Sequence, residues 1–375
     1  MKHQLLPFTA LIFFAALLLR YPAESAAAAK DGLAVCYTLI IPSLFPFFVL
    51  SSLIISLTPS AIAARLFAPL MRPIFALSGP CIMPLLLGLI GGYPVGLRTT
   101  AQIYEIKGCT PNEAKRLAVF CNNCGPAFLL NVAGIGVFGS QEAGLLLLAT
   151  HWLAAMLVGL LSRRLQGQGE KSFSYTQFES KGNHTPSLSS IFPDCVRDSF
   201  SATLNVCAFV TLFSVLIRLV TCTGALPIAA AALSQLLSCS PQLCQSAIIG
   251  FFELSTGISS LAPLYADPLA LPLAAFILGW GSLSVHCQSL PFLNRCPDAK
   301  APYFIGKLLQ GTIAAGLAAC LAPLLPEAGG AFQQAALWYS PATTLVQREI
   351  LALFFLAGLF WLAEKKTGKP RPPGV

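Results

Sequence analysis

The sequence predicts an all-α polytopic membrane protein built as an inverted repeat. Each half is expected to hold three spanning helices and one re-entrant hairpin, with extra helices at both ends. Three observations predict this. The 375 residues are 55% hydrophobic and 10% charged, with a mean hydropathy of +0.72, whereas a soluble domain carries about 25% charged residues. Apolar runs follow one another almost continuously, and lysines and arginines fall in the short loops between them, which is the pattern of topology signals rather than of nucleic-acid binding. Glycine- and proline-marked breaks interrupt four runs, two in each half. Lipid cannot satisfy a freed amide or carbonyl, so broken backbone at membrane depth needs cover from protein or a water-filled cavity.

The elements follow in order. Leu5 to Leu19 is an apolar run after Lys2, followed by Arg20 and an alanine-rich stretch to Ala29. Residues 1–30 are read as an uncleaved transmembrane helix, with a signal-like segment as the alternative. Residues 31–163 form the first repeat. Gly32 to Leu57 is a span bent near Pro42 and Pro46, and Ser60 to Leu77, with Arg65 and Arg72, suits a helix lying at the interface. Pro80 to Ala101 is the first hairpin, hinged at Gly92, Pro94 and Gly96. Thr110-Pro-Asn-Glu113 is a helix start, with threonine as cap, proline at the first position and glutamate at the third. That helix breaks at Asn122-Asn-Cys-Gly-Pro126, where Gly125 and Pro126 are hinges, and resumes to Phe138. Gln141 to Ser162 is a plain span containing a packed or interfacial His151.

Residues 164–197 are polar, serine-rich and basic, and read as a cytoplasmic linker. The second repeat occupies residues 198–326. It holds a span from Ser199 to Val220, a short apolar piece from Leu226 to Leu237, and a second hairpin from Ala247 to Leu264 around Glu253-Leu-Ser-Thr-Gly257. A second broken span, Leu269 to Leu290, is hinged at Gly281, and a plain span from Phe304 to Leu325 follows. Residues 327–375 hold a final span, Ile350 to Ala363, and a basic tail. An odd number of crossings per half inverts the second copy relative to the first. With both termini in the cytoplasm, all 23 lysines and arginines except Arg20, Lys30, Arg218 and Arg348 fall in or near cytoplasmic segments.

The breaks carry the candidate chemistry. Glu253 is a carboxylate inside an apolar hairpin, and an intramembrane ionisable group is a functional candidate by default. The alternatives are a pair with Arg218 or a cap at the hairpin turn. Ser255, Thr256 and Gly257 beside it would supply hydroxyls and close backbone approach. Asn122 and Asn123 either bind solute or satisfy backbone freed by Gly125 and Pro126. His286 and Gln288, beside Gly279-Trp-Gly-Ser282, take the corresponding place in the second half. Tyr93 and Ser282 complete the candidate solute-binding set. No catalytic residue, cofactor or metal site is expected. The chain has no phosphate-cradling Gly-Lys-Ser/Thr loop, Gly-x-Ser-x-Gly elbow or His-Glu-x-x-His helix. The 13 cysteines are scattered without zinc-ligand spacing, although Cys239 and Cys244 stand near enough in sequence to pair.

These motifs resemble the nucleoside-recognition or Gate-domain family, which includes modules of concentrative nucleoside transporters and of ferrous-iron transporters. The residues that carry the resemblance are Gly88 to Gly96, Glu113 to Arg116, Asn122 to Phe128 and Glu253 to Gly257. It implies two hairpin-plus-broken-helix halves enclosing a central site, and it extends to members connected with spore formation. Cysteines flank the asparagine pair here, and no nucleoside-binding set matches residue by residue. Two functions stay open. One is a transporter-like protein for a small polar solute, nucleoside-like or ion-coupled; the other is a membrane assembly or envelope factor that keeps the fold and moves nothing. Membrane lipids and a solute or ion are the expected partners, nucleic acid is not, and a homo-oligomer is left open.

Overall fold

An apolar stretch in lipid has no solvent to bond its backbone, so each run satisfies its amides within a helix. A computed structural model describes residues 2–57, 60–165 and 188–324 of the chain. Among these, all regular structure is helical. Among the described residues, four helices are long and apolar enough to cross a membrane, at Gln141–Leu165, Ile191–Cys222, Ala270–Leu293 and Lys300–Leu321. Two bent pairs raise the number to six if each is one span, with bends of 101° at residue 21 and 86° near residue 77. The predicted final span and tail lie outside the described residues, as does most of the predicted linker.

The first elements are α1 (Lys2–Arg20), α2 (Pro22–Val35) and α3 (Ile41–Leu57). The alanine run before Lys30 is not a flexible flank, because it lies inside α2. Helix therefore begins at Pro22 rather than Gly32, and it runs on through a π-turn, Cys36–Ile40, into α3. The bend expected at Pro42 takes this form for a steric reason. In an α-helical turn the Pro42 ring would press on the Thr38 carbonyl. A wider turn makes room, and the Ile41 amide reaches back to the Cys36 carbonyl.

Next come α4 (Ser60–Phe75), then α5 (Ile82–Gly91) and α6 (Val95–Glu105), which form a hairpin around Gly92-Tyr93-Pro94. The turn needs Gly92, whose φ is +78°. The hairpin closes so tightly that a Cβ on Gly88 or on Gly96 would overlap the Cys121 carbonyl. The helix α7 (Pro111–Phe120) opens with the predicted capping box. The Glu113 amide donates to Thr110 Oγ1 at 3.1 Å, and the Thr110 amide donates to Glu113 Oε2 at 2.9 Å. One turn on, buried Arg116 donates to the carbonyls of Phe75, Ala76 and Ser162, the freed C-terminal groups of α4 and of the next long helix. After α7 the chain is non-helical from Cys121 to Gly125 and resumes as a π-helical segment, Phe128–Val137, before α8 (Gln141–Leu161).

The second half holds α9 (Leu188–Cys222), α10 (Ala225–Leu237) and a hairpin of α11 (Pro241–Phe252) and α12 (Leu254–Ser259) around Glu253. Gly250 and Gly257 close this hairpin, since a Cβ on Gly257 would strike the Gly250 Cα. The broken helix follows as α13 (Ala270–Trp280) and α14 (Ser282–Leu293), parted at Gly281 with φ +85°, and α15 (Lys300–Leu321) ends the described chain.

The α2–α3 rod and α9 lie antiparallel along their length. Asp31 meets Arg218 at 3.7 Å, the Cys36 thiol meets the Cys207 carbonyl at 3.6 Å, and Ser52 meets Ser199 at 3.4 Å. The helix α9 also takes in residues 188–197, which the sequence reading gave to the linker. The stretch is polar because it faces a polar vestibule: Asp194 lines it, as does Asp198 just beyond, which is bonded to Arg98.

A methyl at Gly96 meets fixed backbone, so Gly96→Ala is expected to destabilise the fold by about 1–3 kcal/mol. Gly316→Ala, where nothing lies within 4 Å of the added carbon, should stay within about 0.5 kcal/mol of wild type. Thermal unfolding of detergent-purified protein checks both, and equal stability would refute the hairpin contact.

Candidate functional site

All four breaks meet. Gly92 of the first hairpin packs on Gly125 of the first broken helix, where a Cβ on Gly92 would come 3.0 Å from the Gly125 amide. Gly281 of the second broken helix lies against the Tyr93 ring, and a Cβ there would come 3.1 Å from the phenol oxygen. Ser282 Oγ donates to the Gly250 carbonyl, and Trp280 Nε1 donates to the Phe251 carbonyl at 3.3 Å, which ties that broken helix to the second hairpin. Tyr93 Oη donates to the Leu278 carbonyl at 2.9 Å. That carbonyl is one that the break at Gly281 releases from its helix.

Backbone freed around Asn122 is met by side chains from other helices. The Phe120 carbonyl accepts from Asn123 Nδ2 at 2.9 Å, and the Cys124 amide donates to His151 Nε2 at 3.1 Å. The Asn122 carbonyl accepts from Lys307 Nζ at 2.7 Å. Lys307 also donates to Gln310 Oε1 at 2.6 Å, and Gln310 Nε2 donates to Asn123 Oδ1 at 2.9 Å. Asn122 Nδ2 donates to Ser289 Oγ at 3.1 Å and Tyr303 Oη at 3.2 Å, and Tyr303 Oη is 3.0 Å from His286 Nδ1. All these side chains are buried. Four buried polar atoms in and beside this network have no partner: Asn122 Oδ1, His151 Nδ1, His286 Nε2 and Ser284 Oγ.

A cavity of about 50 Å³ lies between the two hairpin tips, lined by Tyr93, Gly125, Glu253, Ser255, Ser284 and Gln288 among others. It has room for a few waters at most. Glu253 caps α12, with Oε1 accepting from the Ser255 amide at 3.1 Å and Oε2 from the Thr256 amide at 2.6 Å. The pairing with Arg218 does not form, because Arg218 reaches Asp31 instead. On the other side of the first hairpin tip is a vestibule of about 730 Å³, lined by Pro94, Arg98, Gln102, Asp194, Asn205 and Arg295 among others. Two ion pairs border it, Arg98–Asp198 at 3.0 Å and Arg295–Glu105 at 3.3 Å.

The sequence-chosen residues thus fall into three groups. Tyr93, Glu253, Ser255 and Gln288 line the small cavity, while Asn122, Asn123 and His286 belong to the buried network. Ser282 and the Thr256 amide serve the second hairpin's own backbone. Two helices read as plain spans are not plain, since α8 contributes His151 and α15 contributes Tyr303, Lys307 and Gln310. The signal for Lys307 was the same as for Glu253, an ionisable group in an apolar run. With the span beginning at Phe304, Lys307 reads as a flanking charge. The helix starts at Lys300, which sets Lys307 about two turns inside it. Gly306 packs on Val119 and Gly311 on Gly279, and these close approaches bring Lys307 and Gln310 to the break.

Residues 38–162 match the Gate family, described as nucleoside recognition. Sporulation integral membrane protein YlbJ of Bacillus subtilis (strain 168) is 31% identical over 322 residues, which cover 81% of this chain and 79% of that protein. The chain belongs to the YlbJ family of Gate-domain membrane proteins. No solved structure matches it. The Gate match takes in the first hairpin, the Asn122 break and His151, whereas Glu253, His286 and Lys307 lie beyond its end.

Removing the Tyr303 hydroxyl leaves His286 Nδ1 unpartnered, so Tyr303→Phe is expected to cost about 1–3 kcal/mol. Arg98→Gln, which breaks a partly exposed ion pair, should cost about 1 kcal/mol or less. Thermal unfolding in detergent compares them, and the reverse order would show that the network does not hold the break.

Proposed function

We propose that the protein is a transporter-like membrane protein that binds and moves a small polar solute, nucleoside-like or ion-coupled, between two inverted halves. Each half contributes three spans and one re-entrant hairpin. The observation that carries this reading is the pair of voids on either side of the first hairpin tip. A vestibule of about 730 Å³ ends at Pro94, and the cavity of about 50 Å³ begins at its neighbour Tyr93. The vestibule has the volume of a ligand pocket and the cavity does not. The Tyr93–Pro94 tip is then the partition a solute crosses, and beyond it Ser284 Oγ and Gln288 are the polar groups that receive it.

Other features support the same reading. Each half has a hairpin closed by a glycine pair and a helix broken at glycine, and the α2–α3 rod runs antiparallel to α9. With the amino terminus in the cytoplasm, the vestibule and its ion pairs open on that side, while Asp31 and Arg218 lie outside. The solute set is Tyr93, Glu253, Ser255 and Gln288, with Asn122, Asn123 and His286 behind it. The proposal is of binding and movement without catalysis, and it assigns no catalytic residue. The name of the Bacillus subtilis relative, a sporulation integral membrane protein, extends the proposal to spore formation.

One observation favours the second reading, a membrane assembly or envelope factor that moves nothing. Asn123, Glu253 and Lys307 already spend their bonds on the protein's own backbone and side chains. Ligand-dependent thermal stability separates the two readings, with a panel of nucleosides, amino acids, dicarboxylates and metal ions. Under the transporter reading one class raises the stability of wild type by about 2.7 kcal/mol at a hundredfold excess over Kd. Gln288→Ala is expected to remove that shift. A panel that leaves wild type unmoved supports the assembly factor, and a shift that persists in Gln288→Ala puts the solute elsewhere.

A further inference from the structure

Lys307 is the one charged side chain in the network, and its surroundings are those of a bound cation. Nζ donates to the Asn122 main-chain carbonyl at 2.7 Å and to Gln310 Oε1 at 2.6 Å. It also lies 5.1 Å from the centre of the Tyr93 ring. An ammonium has three donors and no acceptor. Two hydrogens reach neutral oxygens, and the third side faces an aromatic ring, which attracts a cation through its quadrupole. The side chain is wholly buried. None of its hydrogen-bond partners is a carboxylate, and the three ion pairs of the described residues lie elsewhere.

Charges buried in proteins are normally paired with an opposite charge. Here the contacts are with neutral groups. One oxygen is released by the helix break, and a second amide is aimed by its own bond from Gln310 Nε2 to Asn123. The third contact is the hairpin tip. Unwound backbone carbonyls beside a broken helix are the groups that coordinate a monovalent ion in a membrane interior. We propose that Lys307 is a tethered cation. Its ammonium fills a monovalent-cation site formed by the Asn122 carbonyl, Gln310 Oε1 and the Tyr93 ring, so the broken helix and the first hairpin are joined without a bound alkali-metal ion. On the transporter reading, this makes assembly of the solute site independent of sodium and potassium. The site itself does not depend on that reading.

The test is thermal unfolding of the full chain in detergent, at constant ionic strength, in choline, sodium, potassium or n-propylammonium chloride, with n-propanol as a neutral control. Wild type should melt at one temperature in all four salts, and Lys307→Met, whatever its own melting temperature, should likewise not respond to the choice of salt. Lys307→Ala, which empties the site, should melt lower in choline. It should then rise saturably by at least about 2 °C in sodium, potassium or propylammonium, and not in propanol. If Lys307→Ala is not recovered folded in choline, recovery on adding propylammonium or an alkali-metal salt during extraction supports the proposal. Failure to recover or stabilise it with any of these cations overturns it. Two other results also overturn it: sodium- or potassium-dependent stability of wild type, and rescue of Lys307→Ala by propanol as well as by propylammonium. These outcomes are read without any solute, so they are separate from success or failure of the solute panel.

Discussion

Everything near the centre of this protein follows from one constraint: a backbone group released inside an apolar bundle must find a partner there. The breaks release the carbonyls of Phe120, Asn122 and Leu278 and the amide of Cys124. Each is met by a side chain, in turn Asn123, Lys307, Tyr93 and His151. Three of these four side chains come from a different element than the group they serve. The breaks therefore do not loosen the fold. They stitch the first hairpin, α8, α13 and α15 together, because only side chains of those elements can supply the missing bonds.

Small residues make this stitching geometrically feasible. A donor such as Lys307 reaches a main-chain oxygen only if its helix lies unusually close, and Gly306 and Gly311 provide that approach on either side of it. In each hairpin a glycine pair does the same for two arms of one chain segment. Without a hydrophobic driving force between helices in lipid, close packing of this kind and the hydrogen bonds it permits are what hold helices together. The glycines and the polar network are thus parts of one device, and neither works without the other.

The positions of the breaks were legible in the sequence because glycine and proline act locally, on their own dihedrals and their own hydrogen bonds. Gly92, Gly125 and Gly281 interrupt helices where the pattern places them, and the Thr110–Glu113 start has the expected reciprocal bonds. The partners of the freed groups were not legible, because they are set by which distant helix face arrives there. His151 and Gln310 look like isolated polar residues in apolar helices until α8 and α15 are packed against the break. Glu253 shows the converse: its surprising position is explained within three residues, by the amides of Ser255 and Thr256. Charges at a helix end misled twice. Asp194 and Arg197 read as linker although they sit on α9, and Lys307 reads as a flank although it sits within α15.

The same accounting says which parts can separate. The vestibule walls are bridged by Arg98–Asp198 and Arg295–Glu105, whose side chains are between 24% and 57% exposed. Such pairs contribute about 1 kcal/mol or less each. The junction at Asn122 is wholly buried, and opening it would strand several donors and acceptors at about 1–3 kcal/mol apiece. A rearrangement that widens the vestibule is therefore cheap, whereas one that pulls α15 from the broken helix is not. On the transporter reading, a motion that joins the two voids turns the Tyr93–Pro94 tip while Lys307 keeps its oxygens. The cation–π contact with Tyr93, which has no fixed direction within the ring face, suits that better than a third hydrogen bond would. On that reading the network around Lys307 is the pivot, and the exposed pairs on α6 are the side that gives way.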